Sequence, residues 1–332
     1  MCCCVEFCCF IGIALFREKH ASFVAVMYGV VQCRPRMICL FVLLVASSAY
    51  GAINGDWTMW GGDLQNSHFS NDVHITTFNV ETLSPIWSFN TTGIILGIPT
   101  PHSGRLYFGD WDGNIYCLNA DDGSVVWQLF LPTITGISTS FSRTTPAVSG
   151  SLIIMGDYAS GNLFALDASS GSLVWKTLLD SHPAAVITQS ATIFSSRVYV
   201  GVSSLEEPLA VTEENYVCCT FRGSFLSLDA RSGSIIWQRY IVPDNLNQAG
   251  GYSGAAIWGS APSIDLGRRA VYAASGNNYA IPASVAQCLA QNNDSYCSSP
   301  QNHAESIIAF DLETGSILWG TNFAGPTGID VW

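Results

Sequence analysis

Short apolar runs separated by turn residues dominate the chain from residue 57 onward. One fifteen-residue pattern occurs four times, at 113–127, 161–175, 223–237 and 305–319. Each copy has a strand-like apolar run, an Asp or Asn, a turn that ends in Gly-Ser, and an apolar pair closed by Trp. Apolar alternation predicts strands, and Asp and Gly are typical of tight turns. Each copy therefore predicts a β-hairpin.

Further strand-like segments precede most of these hairpins, such as "TPHSGRLYFGDWD" before the first and "TPAVSGSLIIMGDY" before the second. Repeated units of about four strands indicate an all-β fold, a β-propeller of four-stranded blades. A degenerate copy ends at Trp87, so we expect about five blades. We expect each repeated Trp to pack on the next unit and to direct its N–H at a neighbour's backbone. These residues are Trp87, Trp127, Trp175, Trp237 and Trp319.

Composition and charge exclude several classes of function. Of the 332 residues, 48% are hydrophobic and 11% are charged, which is typical of a packed globular chain. The formal net charge of -12 argues against nucleic acid as a partner. The His residues show no paired zinc spacing, and the chain has no nucleophile elbow, phosphate-binding loop or dinucleotide-binding glycine motif. These absences count against hydrolases, nucleotidases and nicotinamide-dependent dehydrogenases.

A secretory signal is predicted ahead of the repeats. Arg34 and Arg36 form its positive region, and 38–45 is its apolar core. Ala49 and Gly51 are the small residues expected before a cleavage site. A membrane anchor is the rival interpretation, but about eight apolar residues are too few to span a bilayer. We therefore expect a secreted protein, extracellular or, in a bacterium, periplasmic, with no stable membrane span.

This prediction divides the chain into three parts. Residues 1–36 are an upstream extension, 37–51 the signal peptide and 52–332 a partial propeller domain. In a eukaryotic host, Asn90 and Asn293 would be glycosylation acceptors, since each begins an Asn-X-Ser/Thr sequence.

The cysteines outside the N-terminal region are expected to meet oxidising conditions. Cys288 and Cys297 are predicted to pair. The neighbouring Cys218 and Cys219 leave three alternatives open: a vicinal disulfide, a bridge from one of them to Cys117 or a more distant Cys, or simple burial. Metal ligation by both thiolates is disfavoured because no further Cys or His lies near them in sequence.

The repeat, with its "ALD…SG…W" core, resembles that of the quinoprotein alcohol dehydrogenase family, which are eight-bladed propellers. The resemblance spans 57–332, and the segments "GVSSLE" and "CCTFRGS" are similar to the polyvinyl-alcohol dehydrogenase-like branch. The segment 257–279 resembles the family segment that holds pyrroloquinoline quinone (PQQ) and calcium. That likeness implies that Trp258 forms the floor under the quinone and that Asn277 ligates calcium. The structural alternatives are core packing for Trp258 and a simple turn at Asn277.

The resemblance also implies a catalytic base and further metal ligands. The last residues, "GPTGIDVW", resemble the family segment that carries the general base, which makes Asp330 the predicted base and a calcium ligand. Methanol-oxidising members have a Glu ligand four residues before the Arg of an Arg-Gly pair, but here Cys218 occupies that position before Arg222. In this chain Glu206 or Glu207, in the preceding loop, would replace that Glu as the calcium ligand, and Glu207 is the predicted one.

Contacts with the quinone itself are implied for four more residues. The carboxylates of the cofactor suit Arg, and Arg143 and Arg222 are the predicted partners. Cys218 and Cys219 are expected near the cofactor channel. The structural alternative for Arg143 is a brace within a blade.

The expected activity is that of a secreted, PQQ- and calcium-dependent dehydrogenase that oxidises a small or polymeric alcohol. No "CxxCH" haem attachment motif occurs, so the electron acceptor is expected to be a separate partner. The alternative is a non-catalytic propeller that binds proteins or glycans. With about five of the eight expected blades, the sequence is predicted to be a fragment of a longer propeller.

Overall fold

The computed structural model describes residues 12–17, 23–33, 37–42, 56–70, 73–292 and 295–323. The chain falls into two compact units, Met1–Gly51 and Ala52–Trp332. The first unit contains a three-stranded antiparallel sheet of β1 (Gly12–Arg17), β2 (Phe23–Cys33) and β3 (Met37–Val42). Strand β3 lies within the segment predicted as a signal peptide, whose removal stays a prediction. No helix in the described ranges is long and apolar enough to cross a bilayer.

In the described residues of the second unit, four larger antiparallel sheets hold most of the strands. The first contains β4 (Thr100–His102), β5 (Arg105–Gly109), β6 (Asn114–Asn119) and β7 (Val125–Phe130). The second contains β8 (Ala147–Ser149), β9 (Leu152–Gly156), β10 (Asn162–Asp167) and β11 (Leu173–Leu178). The third contains β12 (Ala185–Val186), β13 (Thr192–Phe194), β14 (Arg197–Ser204), β15 (Ser224–Asp229) and β16 (Ile235–Tyr240), with β12 and β13 both paired to β14. The fourth contains β18 (Ser263–Asp265), β19 (Ala270–Ala274), β21 (Ser306–Asp311) and β22 (Ile317–Asn322).

The connections between these strands hold the remaining elements. A two-stranded sheet pairs β17 (Ser253–Gly254) with β20 (Asn278–Ala280). The part of the chain that the structure describes also has three short helices, α1 (Pro132–Thr135), α2 (Glu206–Thr212) and α3 (Ala283–Asn292). Single 3-10 turns occur at Val80–Thr82 and Ser295–Cys297.

The repeat turns form the hairpins that the sequence predicted. In the third sheet, Asp229 Oδ1 accepts the N–H groups of Arg231 at 3.1 Å and Ser232 at 2.8 Å. The N–H of Gly233 donates to Asp229 O at 2.8 Å. Gly233 has a φ of +70°, which glycine adopts at little cost. This turn reverses the chain from β15 into β16.

Four of the repeated Trp residues pack on the following unit, as predicted, but the predicted N–H bond forms in only three of them, because the buried Trp237 indole N–H has no partner in the described chain. The fifth, Trp319, is 47% exposed and lies beside Tyr272 of its own sheet. Trp87, Trp127 and Trp175 each donate an indole hydrogen bond to a backbone oxygen of the next repeat turn. The acceptors are Ala120 at 2.9 Å, Ala168 at 3.0 Å and Ala230 at 2.9 Å. Each indole also lies against the Gly of that turn, and Trp237 lies against Gly315 in the same way. The residues around Trp87 form no strand, so the degenerate copy supplies its Trp without building a sheet.

The apolar core lies between successive sheets. One cluster joins the second and third sheets through residues such as Ile154, Leu163, Val198 and Leu226. Comparable clusters join the first sheet to the second and the third to the fourth. Stacking of this kind lets the second and third sheets pack apolar side chains on both faces, as propeller blades do.

Replacing Gly233 by alanine tests the contact between turn and Trp. A Cβ there would lie 2.6 Å from Trp175 Cδ2, in a backbone conformation that disfavours side chains. We expect a loss of about 2–4 kcal/mol in the free energy of unfolding, measured with denaturant. Gly136→Ala is the matched control, because Gly136 has a φ of +76° and open space around it. It should lose only about 1 kcal/mol. Equal losses at both positions would show that the Trp contact contributes nothing.

The predicted site residues of the described chain lie on one face of the sheets. Antiparallel neighbours reverse direction, so the loop between the second and third strands of a sheet leaves at the same end as the connection to the next sheet. We call this end the loop face. It comprises residues 110–113, 131–146, 157–161, 179–191, 205–223, 241–262, 275–292 and 295–305.

Candidate functional site

Trp258 lies on the loop face, in the connection from the third sheet to the fourth. Its side chain is 37% exposed, although its neighbour Ile257 is completely buried. Gly276 lies beside the indole, since a Cβ on that residue would be 3.6 Å from Trp258 Cδ1. Trp258 therefore presents a half-exposed aromatic surface on a buried stretch of backbone.

Asn277 and Glu207 are in direct contact. Asn277 Nδ2 donates to Glu207 Oε1 at 2.8 Å, across 70 positions of sequence. Asn277 follows Gly276, so the pair lies next to the Trp258 indole. Carboxylate and amide oxygens are ligands that calcium prefers. The structure thus brings together two residues that were predicted as metal ligands from distant parts of the chain.

The third predicted ligand, Asp330, lies outside the described residues. Across the described ranges, no three His, Cys, Asp or Glu side chains form a cluster suited to a metal ion. A calcium ion bound here would therefore be held by Glu207, by the Asn277 amide and by at least one further oxygen ligand.

The neighbouring Glu206 has a different environment. Its side chain is completely buried. Oε1 accepts the Thr220 N–H at 2.7 Å and the Tyr216 hydroxyl at 3.0 Å, and Oε2 accepts the Phe221 N–H at 2.8 Å. Burial by itself would raise the pKa of Glu206, but these hydrogen bonds and the nearby His182 hold it below the ordinary value. Glu206 thus anchors the loop at Thr220 and Phe221 to the start of α2, and Glu207 is left to face Asn277.

Glu206→Gln tests this anchor. An amide keeps the shape of the side chain, but its NH2 group cannot accept a hydrogen bond. Both oxygens of Glu206 accept hydrogen bonds, so the amide nitrogen would face an N–H donor and leave it unpaired. We therefore expect a loss of about 1–3 kcal/mol in the free energy of unfolding. A lowered pKa in the folded state means that the carboxylate stabilises the fold above its ordinary pKa of 4.5 and loses this effect as the pH falls. The difference in the free energy of unfolding between the wild type and Glu206→Gln should therefore become smaller as the pH falls below 4.5. Urea unfolding across a pH series measures it, and a constant difference would contradict the assignment.

Two disulfides form in the described chain. Cys288 and Cys297 pair as expected, and they link α3 to the following 3-10 turn. Cys218 and Cys219 form a vicinal disulfide, which decides among the alternatives that the sequence left open. Cys117 is a buried free thiol, so the proposed bridge to it is wrong. The vicinal pair directly precedes Thr220, whose N–H is bound by Glu206.

The two predicted arginines lie in separate surroundings. The Arg143 guanidinium lies 5.8 Å from the ring centroid of Tyr158. The Arg222 guanidinium pairs with Asp244 at 2.9 Å and lies 4.1 Å from the Tyr240 ring centroid. None of these contacts involves Trp258, so the roles of both arginines toward a cofactor remain predictions.

Tyr279 belongs to the site although the sequence did not single it out. Its hydroxyl donates to Ser204 O at 3.4 Å, and its ring is stacked on Phe221 with centroids 6.4 Å apart. Burial, together with the charges of Glu207 and Glu206, raises the pKa of Tyr279 well above its usual range, and a hydrogen bond from Trp258 partly opposes this. Tyr279 therefore links the Trp258 indole to the strand end that precedes α2. The only sequence signal was its position two residues after Asn277.

Stacked four-stranded sheets with interlocking Trp residues, and a loop face that holds Trp258 and Asn277, define a β-propeller of the quinoprotein type. The chain belongs to the PQQ_2 family, described as outer membrane protein assembly factor BamB, which matches residues 71–331. The family resemblance predicted from the repeats is thereby confirmed.

Two polyvinylalcohol dehydrogenases are similar in sequence. The protein from Pseudomonas sp. is 30% identical over 272 residues, which cover 79% of this chain and 40% of that protein. The protein from Sphingopyxis sp. (strain 113P3) is 30% identical over 278 residues, which cover 81% of this chain and 39% of that protein. This chain thus spans about two fifths of the length of these relatives.

Solved structures show the same fold. Quinohemoprotein alcohol dehydrogenase from Comamonas testosteroni superposes with a TM-score of 0.66 at 21% identity, covering 82% of this chain and 42% of that one. A europium-containing methanol dehydrogenase superposes with a TM-score of 0.61 at 19% identity, covering 83% and 50%. The predicted β-propeller fold is thereby confirmed.

Proposed function

We propose that this protein is a secreted dehydrogenase that oxidises an alcohol with PQQ and calcium. The observation that carries the proposal is the contact between Glu207 and Asn277 beside the half-exposed indole of Trp258. Similarity to two polyvinylalcohol dehydrogenases supports an alcohol substrate, small or polymeric.

The chemistry of these side chains fits both proposed groups. A planar quinone suits an exposed indole face, and calcium suits the oxygens of Glu207 and Asn277. The amide of Asn277 would turn its oxygen toward the ion, because its nitrogen now donates to Glu207. When bound, the quinone supplies a hydride acceptor and calcium supplies a Lewis acid.

The chain's own residues take distinct roles in this proposal. Trp258 stacks against the quinone, and Glu207 and Asn277 hold the metal. Asp330 accepts the hydroxyl proton of the alcohol as general base. Arg143 is a better partner for the cofactor's carboxylates than Arg222, because Asp244 already pairs with the Arg222 guanidinium. Cys218 and Cys219 contribute an apolar disulfide near the same site.

Reconstitution tests the proposal. The purified protein is mixed with PQQ and calcium, bound quinone is followed by absorbance, and an artificial electron-accepting dye reports oxidation of several alcohols. The dye takes the place of the separate electron acceptor that we propose as a partner. We expect quinone binding that depends on calcium, and dye reduction with at least one alcohol. A protein that binds no quinone would contradict the proposal and would favour the non-catalytic scaffold.

A further inference from the structure

Three apolar side chains on the loop face are largely exposed. Val211 lies in the last turn of α2, Val217 follows that helix, and Leu246 lies in the connection that leaves β16. Their exposed fractions are 88%, 74% and 72%. Apolar side chains that are exposed together on a structured surface are typical of sites that bind another molecule.

Hydrogen bonds to Thr220 hold the segments that carry these side chains together. The buried Glu206 carboxylate, at the start of α2, accepts the Thr220 N–H at 2.7 Å, three residues after Val217. Asn245 Nδ2 donates to Thr220 O at 2.9 Å, one residue before Leu246. The three apolar side chains therefore lie on neighbouring loops that are anchored to one another. We call residues 207–217 and 244–248 the rim.

Carboxylates accompany the apolar side chains of the rim. They are Glu207, Glu213, Glu214 and Asp244, all of them exposed. Neither segment of the rim contains Lys, Arg or His. The neighbouring Arg222 has a mostly buried side chain, and its guanidinium pairs with Asp244 at 2.9 Å. The rim therefore presents apolar side chains with a negatively charged border.

Basic residues are distributed unevenly over the two ends of the sheets. Across the described part of the loop face, the only Lys or Arg residues are Arg143 and Arg222. Five arginines lie at the opposite end, in or next to the turns between strands: Arg105, Arg197, Arg231, Arg268 and Arg269. This distribution orients a positively charged partner toward the loop face.

We propose that the rim docks the electron acceptor, and that this acceptor is a one-electron redox protein with a positively charged contact surface. The inference rests on the proposed function, because it needs a reduced quinone beside Trp258. Glu207 and Val211 are four residues apart on α2, so they share one face of that helix, and Glu207 contacts Asn277. A protein that covers the rim therefore lies directly beside the proposed quinone site.

The electron balance determines what kind of complex the rim must form. Oxidation of one alcohol group to a carbonyl group removes two electrons and two protons. The electrons leave the reduced quinone one at a time to two acceptor molecules, and the protons are released to water. An acceptor must therefore dock and leave twice in each turnover. Few apolar contacts and a charged border suit such brief encounters, because charge speeds association without preventing release.

Neutral variants of the rim provide the test. Glu213→Gln/Glu214→Gln removes two exposed negative charges that lie outside the proposed metal and quinone site. Asp121→Asn/Asp122→Asn is the matched control, since it removes two adjacent, exposed charges at the opposite end of the sheets. Val217→Ser removes exposed apolar surface without any change in charge.

The probe is a small haem protein with a basic contact surface, and an acidic haem protein of similar size is its counterpart. NMR titration without quinone measures binding at low and at physiological salt. We expect the wild type to bind the basic probe and not the acidic one. Glu213→Gln/Glu214→Gln should weaken binding about fivefold to tenfold at low salt, and less at higher salt, because ions screen exposed charges. Val217→Ser should weaken binding at both salt concentrations, and the control should stay within about twofold of wild type.

Turnover of the protein loaded with PQQ and calcium is the second readout. The rim variants should keep the wild-type rate with the small dye and lose rate with the basic haem protein at low concentration. Equal losses of affinity in the two charge variants would indicate an effect of overall charge and would overturn the assignment to the rim. So would unchanged affinity in every rim variant.

The inference and the proposed function can fail separately. A wild-type protein that reduces the dye but binds no basic haem protein would overturn the inference alone. A wild-type protein that binds no PQQ would contradict the proposed function, and the titration without quinone would still decide whether the rim binds a basic protein.

Discussion

Trp258→Ala is expected to weaken the binding of PQQ about 30- to 100-fold, because it removes the aromatic surface on which we place the quinone. The side chain is 37% exposed and contacts Gly276, so its removal leaves most of the buried core intact. The free energy of unfolding should change far less than the binding free energy. Equilibrium titration of the purified variant with PQQ and calcium, followed by absorbance, measures the effect.

Trp319→Ala is the control for this substitution. Trp319 is 47% exposed and lies on β22 with Tyr272 beside it, their ring centroids 5.8 Å apart. It is thus a Trp of similar exposure outside the proposed site, and its loss should leave quinone affinity unchanged. Equal effects of the two substitutions, or an unchanged affinity in Trp258→Ala, would remove Trp258 from the site.

Glu207→Gln is expected to weaken calcium binding about 100-fold, because it removes the negative charge from the described ligand pair. The substitution keeps the size of the side chain and its hydrogen bond to Asn277 can be remade by the new amide. The fold should therefore be retained. Titration calorimetry with calcium, in the presence of PQQ, measures the affinity directly.

Glu213→Gln is the matched control for the metal site. Glu213 is an exposed carboxylate directly after α2, the helix whose second residue is Glu207. Its neutralisation changes the net charge by the same amount without touching Asn277. Calcium affinity should be unchanged in this variant. If both variants lost affinity equally, the effect would be one of overall charge and not of ligation.

The repeats made the blades predictable from local sequence. Asp229 and Gly233 form their turn through bonds between residues only a few positions apart, so the pattern alone carries the information. The role of Trp175 was predictable for a related reason. Its Gly partner recurs for Trp87, Trp127 and Trp237, and its carbonyl acceptor recurs for Trp87 and Trp127, so much of one interface repeats along the chain.

The contact between Glu207 and Asn277 could be predicted only in part. The family likeness pointed to both residues, but adjacent Glu206 and Glu207 are equivalent in local sequence. Their roles separate in three dimensions, where Thr220 and Phe221 supply N–H groups to Glu206 and draw it inside. Likewise, nothing in the sequence near Thr188 reveals that its hydroxyl lies beside Gly259, 71 positions away.

The sequence alone predicted the fold class, the hairpins and most of the Trp packing. The turns depend on short-range bonds, and the contacts between units recur with the repeat. The tertiary structure decided which Glu faces Asn277 and that Cys218 pairs with Cys219. These outcomes depend on insertions of different length in the loops of the third and fourth sheets. Loops that meet only once the sheets have stacked follow no repeat, so their contacts carry no periodic signal in the chain.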